Sequence, residues 1–255
     1  MLSIKRAQVA WKAAHEFWDQ MPIARVDKQA TIDYRAHRKH CALITVRNEL
    51  AVIRAALNWA KKEKLIDDAP FVQMPKLPAS EIGHLSKVEF RRLIEGAGRP
   101  HVKLFMMLAV ATGARSNALL DLTWDRIDFE RGHIVLNPIG RVQTSKHRAT
   151  VPMNDQIRVA LEEAKEGALS PYVIELGRGK VGSIKKGFAA ACKRSGIVAT
   201  PHMLRHSAAV WMAEDRIPIM EIAQFLGHSD SRVTERVYAR FSPDFLAAAA
   251  RSLTW

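Results

Sequence analysis

The run Thr200-Pro201-His202-Met203-Leu204-Arg205-His206-Ser207 starts a helix. Thr200 is a good cap for the first free N–H groups, and Pro201 suits the first helical position because its missing N–H would be unpaired there anyway. His202 and Arg205 are then three residues apart and share a face at the positive end of that helix. A proton-transfer group beside a guanidinium, both aimed outward from a helix N-terminus, makes a phosphate site. Alone the pair is a weak signal, since a surface His and Arg on any basic helix would look the same.

Two further stretches add to it. Downstream, Leu226-Gly227-His228-Ser229 precedes Tyr238, which sits in Arg236-Val237-Tyr238-Ala239-Arg240. Pro218 can open a helix carrying Ile219, Ile222, Ala223 and Leu226, and Gly227 ends it in a left-handed cap. Ser229 or Asp230 then caps another helix that holds Tyr238. Upstream, Ala111-Thr112-Gly113-Ala114-Arg115 is followed by Ala118-Leu119-Leu120-Asp121. Gly113 marks a sharp break after the apolar helix Leu104–Val110, so Arg115 is presented from a rigid turn. The plainer reading of Arg115 is a helix-junction cap or a partner for Asp121.

Composition agrees with a polyanion partner. The 255 residues carry a net charge of +13, and 48% are hydrophobic. Residues 1–76 hold 14 Lys+Arg against 8 Asp+Glu, and residues 77–255 hold 25 against 18. The surplus is spread along the chain rather than gathered in a tail, so both parts could face nucleic acid and embrace it from two sides. Two cysteines far apart, Cys41 and Cys192, imply no disulfide framework. His37, His40 and Cys41 lack a second ligand group at matching spacing, and no metal or cofactor is expected. No apolar run is long enough to span a bilayer and the first residues lack a secretory core, so a cytoplasmic location is expected.

In this order and spacing, Thr112-Gly113-Ala114-Arg115, His202-x-x-Arg205, Leu226-Gly227-His228 and Tyr238 resemble the tyrosine recombinases, or phage integrases. The resemblance covers nearly the whole chain. It implies a helical module that binds the core of a recombination site, a linker, and a mixed catalytic domain, mainly α with a small antiparallel β-sheet. It implies that Tyr238 attacks the scissile phosphate, leaving a 3′-phosphotyrosine and a free 5′-hydroxyl. Arg115 and Arg205 would hold the non-bridging oxygens, and His228 would bond one of them. His202 would assist proton movement at a phenol whose ordinary pKa is about 10. Lys146, in the turn Thr144–Arg148, would protonate the leaving oxygen, with Arg148 as its competitor. Ala118 stands where many members carry an acidic residue, and Asp121 would take over its supporting role. The resemblance also implies assembly as a tetramer on duplex DNA, with accessory DNA-bending proteins as possible helpers. It implies a chain that starts at the core-binding module, without the extra N-terminal domain of integrases that contact outlying arm sites.

The organisation fits. Leu43, Val46, Leu50, Ile53, Leu57 and Ala60 recur at helical steps, while Arg47, Arg54 and Lys61 lie largely off that stripe as candidate DNA contacts. Residues 1–76 read as an all-helical domain, 77–84 as a linker, and 85–255 as the catalytic domain. Pro75, Pro78 and Gly83 forbid a continuous helix at the seam. Ser86 and Glu89 predict a capping box. Arg126–Phe129 and His133–Leu136 predict a hairpin, and Ala149–Pro152 a third strand. Asp244 is expected to cap a last helix carrying Phe245, Leu246, Ala249, Ala250 and Leu253, docked either on a neighbouring subunit or back on its own domain. Two rival readings remain: a helix-turn-helix regulator built on residues 221–237, and a relaxing topoisomerase with the same tyrosine chemistry.

Overall fold

The computed structural model describes residues 4–78, 83–138, 140, 141 and 147–251, leaving aside the side chains of residues 248 and 249. The chain divides into two compact units, Met1–Ser80 and Glu81–Trp255.

The first unit is helical. It contains α1 (Ile4–Trp18), α2 (Lys28–His37) and α3 (Leu43–Lys62). Val46, Leu50 and Ile53 on α3 join Ala14 and Trp18 on α1 and Ala30 and Tyr34 on α2 in one core. The predicted stripe is therefore the buried face. One charged side chain shares it: Glu49, 3% exposed. A buried carboxylate needs partners, and this one accepts from the Tyr34 hydroxyl (2.7 Å) and from Arg38 Nη2 (2.7 Å) and Nε (3.2 Å). His37 stacks beside Tyr34, and Arg38 also lies against His40, so these polar residues belong to the α2 surface.

The second unit opens with α4 (Lys87–Glu95), started by the predicted capping box. Ser86 Oγ accepts from Glu89 N, and Glu89 accepts from Ser86 N at 2.8 Å. Next come α5 (Pro100–Thr112), α6 (Ser116–Leu120), β1 (Ile127–Asp128), β2 (His133–Val135) and β3 (Thr150–Pro152). The chain continues through α7 (Asp155–Glu166), β4 (Glu175–Leu176), β5 (Gly179–Lys180) and α8 (Lys185–Ser195). It ends with α9 (Pro201–Glu214), α10 (Ile219–Leu226), α11 (Ser231–Tyr238) and α12 (Ala247–Arg251).

Helix α5 is apolar nearly all round and runs through the core, where Phe105, Met106 and Leu108 are completely buried. Each such side chain contributes roughly 1.5–3 kcal/mol by leaving water. Helix α9 packs against α5 and ties down the start of the unit. Ser207 Oγ accepts from Leu85 N, and Trp211 Nε1 donates to Leu85 O, both at 2.8 Å.

The sheet has the order β1-β2-β3, all antiparallel, pairing Ile127 with Ile134 and Ile134 with Val151. Those three residues form its buried face. Pro152 is tolerated because β3 is an edge strand. Sequence reading passed over the β4–β5 hairpin, whose strands of two residues are too short to show a period. The last helix also differs from expectation. It begins at Ala247, and Leu246 takes a left-handed φ of 58° instead of continuing from an Asp244 cap. Phe245 and Leu246 are 48% and 64% exposed, so they are not folded back into the domain core. Leu253 lies outside the described residues.

Candidate active site

Two left-handed glycines shape the site. Gly113 (φ 57°) ends α5 and turns the chain so that Arg115 occupies the N-cap position of α6. Gly227 (φ 65°) ends α10 and turns it toward α11. A Cβ on Gly113 would lie 2.6 Å from Leu226 Cδ2, and one on Gly227 would lie 2.9 Å from His147 O. The two turns thus pack closely, the second against the last residues of the β2–β3 connection, as only residues without side chains allow.

Arg115 is half-buried and donates from Nη1 to His147 O at 3.1 Å. Arg205, 3% exposed, reaches from the start of the second turn of α9 across to the same turns. Its Nη1 donates to Gly113 O at 2.7 Å, and its Nη2 donates to His228 Nε2 at 2.7 Å. A guanidinium cannot accept, so His228 Nε2 is the acceptor and Nδ1 carries the ring proton. That proton is donated to Thr234 Oγ1, 2.7 Å away and completely buried on α11. In this tautomer the nitrogen that would meet a phosphate oxygen is occupied by Arg205.

Tyr238, the last residue of α11, is 3% exposed and its hydroxyl lies 2.5 Å from His206 Nδ1. The His206 ring meets His202 edge-on, with centroids 4.6 Å apart. Motif reading passed over His206, which lies one residue beyond the His-x-x-Arg pair. Its partner is 32 residues away in sequence, and no local pattern indicates that pairing.

The electrostatics follow from crowded positive charge. Burial, then the charge of Arg115, lowers the Arg205 pKa to about 10. Burial, then Arg141 and Arg148, lowers that of Arg115. Burial, followed by Arg205 and Arg115, holds His228 at about 4. His206 is also held at about 4, by burial and then by His202, Arg205 and His228. His202 keeps an exposed edge; partial desolvation and the same two arginines lower its pKa. Burial raises the Tyr238 phenol, and Arg205 partly offsets this. Among the described residues neither Arg115 nor Arg205 forms an ion pair with a carboxylate. Two desolvated guanidiniums that repel each other are a strong site for an anion.

Asp121 does not support Arg115. It accepts from Arg148 Nη2 at 3.0 Å and from Lys180 Nζ at 2.5 Å. Burial alone would raise its pKa, but these two cations together outweigh burial and lower it. Ala118 is buried, and Asp121 projects toward Lys180 on β5. Arg148 is thus held by Asp121, and its buried Nη1 has no partner among the described residues. Lys146 lies outside the described residues. In the first unit Arg54 is exposed, Lys61 pairs with Asp68 at 2.5 Å, and Arg47 donates to Pro75 O at 2.6 Å.

Residues 84–244, which contain this whole cluster, match the model of the phage integrase family. The chain belongs to that family of tyrosine recombinases. It is 28% identical over 234 residues to the integrase of Salmonella phage P22, a match covering 84% of this chain and 58% of that protein. It is 29% identical over 206 residues to the tyrosine recombinase XerA of Thermococcus kodakarensis, covering 78% and 72%. In fold it is similar to the Tn1549 transposon integrase in complex with a circular intermediate DNA (TM-score 0.80, 16% identity, 99% and 95% covered). It is also similar to a lambda integrase dimer bound to a core site (TM-score 0.77, 18% identity, 100% and 74% covered). The expected architecture, mainly helical with a small antiparallel sheet, is the one found. These relatives give no support to the regulator or topoisomerase readings.

Proposed function

We propose that this chain is a site-specific DNA recombinase that cuts and rejoins strands through a 3′-phosphotyrosine at Tyr238, integrating or excising a mobile element. The observation that carries this reading is a buried tyrosine hydroxyl in the field of Arg205, which like its neighbour Arg115 has no carboxylate partner among the described residues. Arg115 and Arg205 hold the non-bridging oxygens and offset the charge gathering on the pentavalent phosphorus. Tyr238 Oη forms the new bond to phosphorus while the bond to the 5′-oxygen breaks. Lys146 or Arg148 gives that oxygen its proton. With His228 neutral, Arg205 keeps its ladder to Thr234, and the phosphate meets the remaining N–H groups of the two arginines. Positive charge at the phosphorus then comes from side chains, and cleavage needs no divalent metal.

The substrate is duplex DNA carrying a core site. Residues 1–76 contact it through α3, with Arg54 and Lys61 exposed for phosphates and Arg47 available once it leaves Pro75. Residues 77–84 link this unit to the catalytic one at 85–255. The protein works in the cytoplasm and assembles as a tetramer around two duplexes, and accessory proteins bend the DNA. The exposed pair Phe245 and Leu246 supports docking of the C-terminal segment on a neighbouring subunit. The test is covalent trapping on a nicked duplex bearing a core site selected by the protein from random sequence. Wild type accumulates an adduct, whereas Tyr238→Phe binds equally well and yields none. An adduct formed by the Phe variant would overturn the assignment.

A further inference from the structure

The resting structure joins the Tyr238 hydroxyl to an imidazole that the family motifs leave without a role. We propose that His206 is the base that takes the proton of Tyr238 as its oxygen attacks the phosphate, and that returns it when the strand is resealed. This inference rests on Tyr238 being the nucleophile.

Geometry carries it. His206 Nδ1 is 2.5 Å from the phenol oxygen, while no described hydrogen bond joins His202 to Tyr238. A base must lie within hydrogen-bond reach of the proton it abstracts, and His206 does so before DNA arrives. Both groups stand on helices: His206 one turn along α9 from His202, and Tyr238 at the end of α11. The ring also has the neutral form that an acceptor needs, because burial first and then the surrounding positive charge oppose its protonation. A bound phosphodiester brings negative charge to Arg115 and Arg205. That offsets the repulsion which weakens the imidazole as a base in the empty site.

In the forward step the phenol proton passes to Nδ1, the Oη–P bond forms, and the P–O5′ bond breaks. The 5′-oxygen receives its proton from a different group, Lys146 or Arg148. In resealing, the 5′-hydroxyl attacks, and the imidazolium returns its proton to the departing tyrosine oxygen.

His206→Asn separates holding from proton transfer, because the Asn amide can keep a hydrogen bond near the Nδ1 position but cannot take a proton. Single-turnover cleavage is measured for wild type, His206→Asn and His206→Ala, with thermal melting and DNA binding as controls. Both variants are expected to bind DNA and to cleave about a hundredfold more slowly or worse; His206→Asn should melt like wild type, and His206→Ala, which leaves the buried phenol without its partner, somewhat lower. On DNA with a 5′-bridging sulfur, which departs without a proton, the His206→Asn defect persists, whereas a Lys146→Ala or Arg148→Ala defect at the leaving group shrinks. Added imidazole restores part of the His206→Ala rate. A His206→Asn rate equal to wild type would show that the residue only holds Tyr238 and overturn the inference. So would rescue of His206→Asn by the bridging sulfur, which would place its proton on the leaving oxygen. An adduct in Tyr238→Phe run alongside would instead sink the nucleophile assignment beneath it.

Discussion

At the residue scale desolvation and like charge act together, both lowering the pKa of Arg205, Arg115, His206 and His228. Arg205 is nearly sealed and loses hold on its proton through burial and then the charge of Arg115, while half-buried Arg115 does so through burial and then Arg141 and Arg148. Removing either guanidinium removes a contact that strengthens in the transition state. Arg115→Ala and Arg205→Ala should each slow cleavage about a hundredfold or more, on the order of 3 kcal/mol, in single-turnover assays. Chelator should leave the wild-type rate unchanged. Near-normal rates in either variant, or loss of activity with chelator, would contradict the proposed mechanism. The same crowding predicts an acid-sensitive fold. His206 and His228 take up protons near pH 4 when folded, against an ordinary value of 6.5. Between those values the unfolded chain binds more protons, so stability is intact above pH 6.5 and falls as the pH drops toward 4. Thermal melting across that range should show the fall, and His206→Asn should reduce it. The four motifs that place these residues could be read from sequence because each is local. The His206–Tyr238 bond could not, since it joins two helices whose meeting depends on the packing of α9, α10 and α11.

At the scale of elements, the signals that could be read ahead of the structure were chemical. Thr200 with Pro201, Ser86 with Glu89, and the left-handed ends at Gly113 and Gly227 each satisfy or release specific backbone groups. Pairings set by distant packing left no such mark. Asp121 was expected near Arg115, yet its side chain leaves toward Lys180 on a hairpin of two-residue strands. The last helix starts at Ala247 because Leu246 breaks the backbone first. The glycine turns give the sharpest test at this scale. Gly227→Ala must adopt a left-handed φ and set a methyl 2.9 Å from His147 O, which is backbone and cannot swing away. The strain should cost roughly 1–3 kcal/mol of stability. Because His147 O is also the acceptor for Arg115, cleavage should fall by more than the lost stability accounts for. A melting temperature and cleavage rate equal to wild type would show that the Gly227 turn positions nothing in the site.

At the scale of the molecule, two basic units joined by a short segment invite a test by division. Both Met1–Ser80 and Glu81–Trp255 have their own cores, so cutting the chain within 74–84 should release two folded pieces. Each should bind the core site far more weakly than the intact protein and with a shallower salt dependence, because linked modules add phosphate contacts and effective concentration. A C-terminal piece that binds as tightly as the whole, with an equal salt slope, would contradict a DNA-binding role for residues 1–76. Deleting residues 244–255 tests assembly. The truncated protein should melt as before and bind one site, but lose complexes of higher order and strand exchange. Full strand exchange would exclude the docking of that segment on a neighbour.

The proposed cleavage runs through one phenol, and the chain holds three tyrosines in all. Tyr34 is sealed in the first unit against Glu49, which leaves Tyr172 and Tyr238 in the second. The direct measurement is mass spectrometry of the trapped adduct after digestion of both protein and DNA. The expected product is a peptide whose Tyr238 carries a nucleotide joined through its 3′-phosphate, with the cleaved strand ending in a free 5′-hydroxyl. A nucleotide on Tyr172 or on any other residue, or a linkage through a 5′-phosphate, would contradict it.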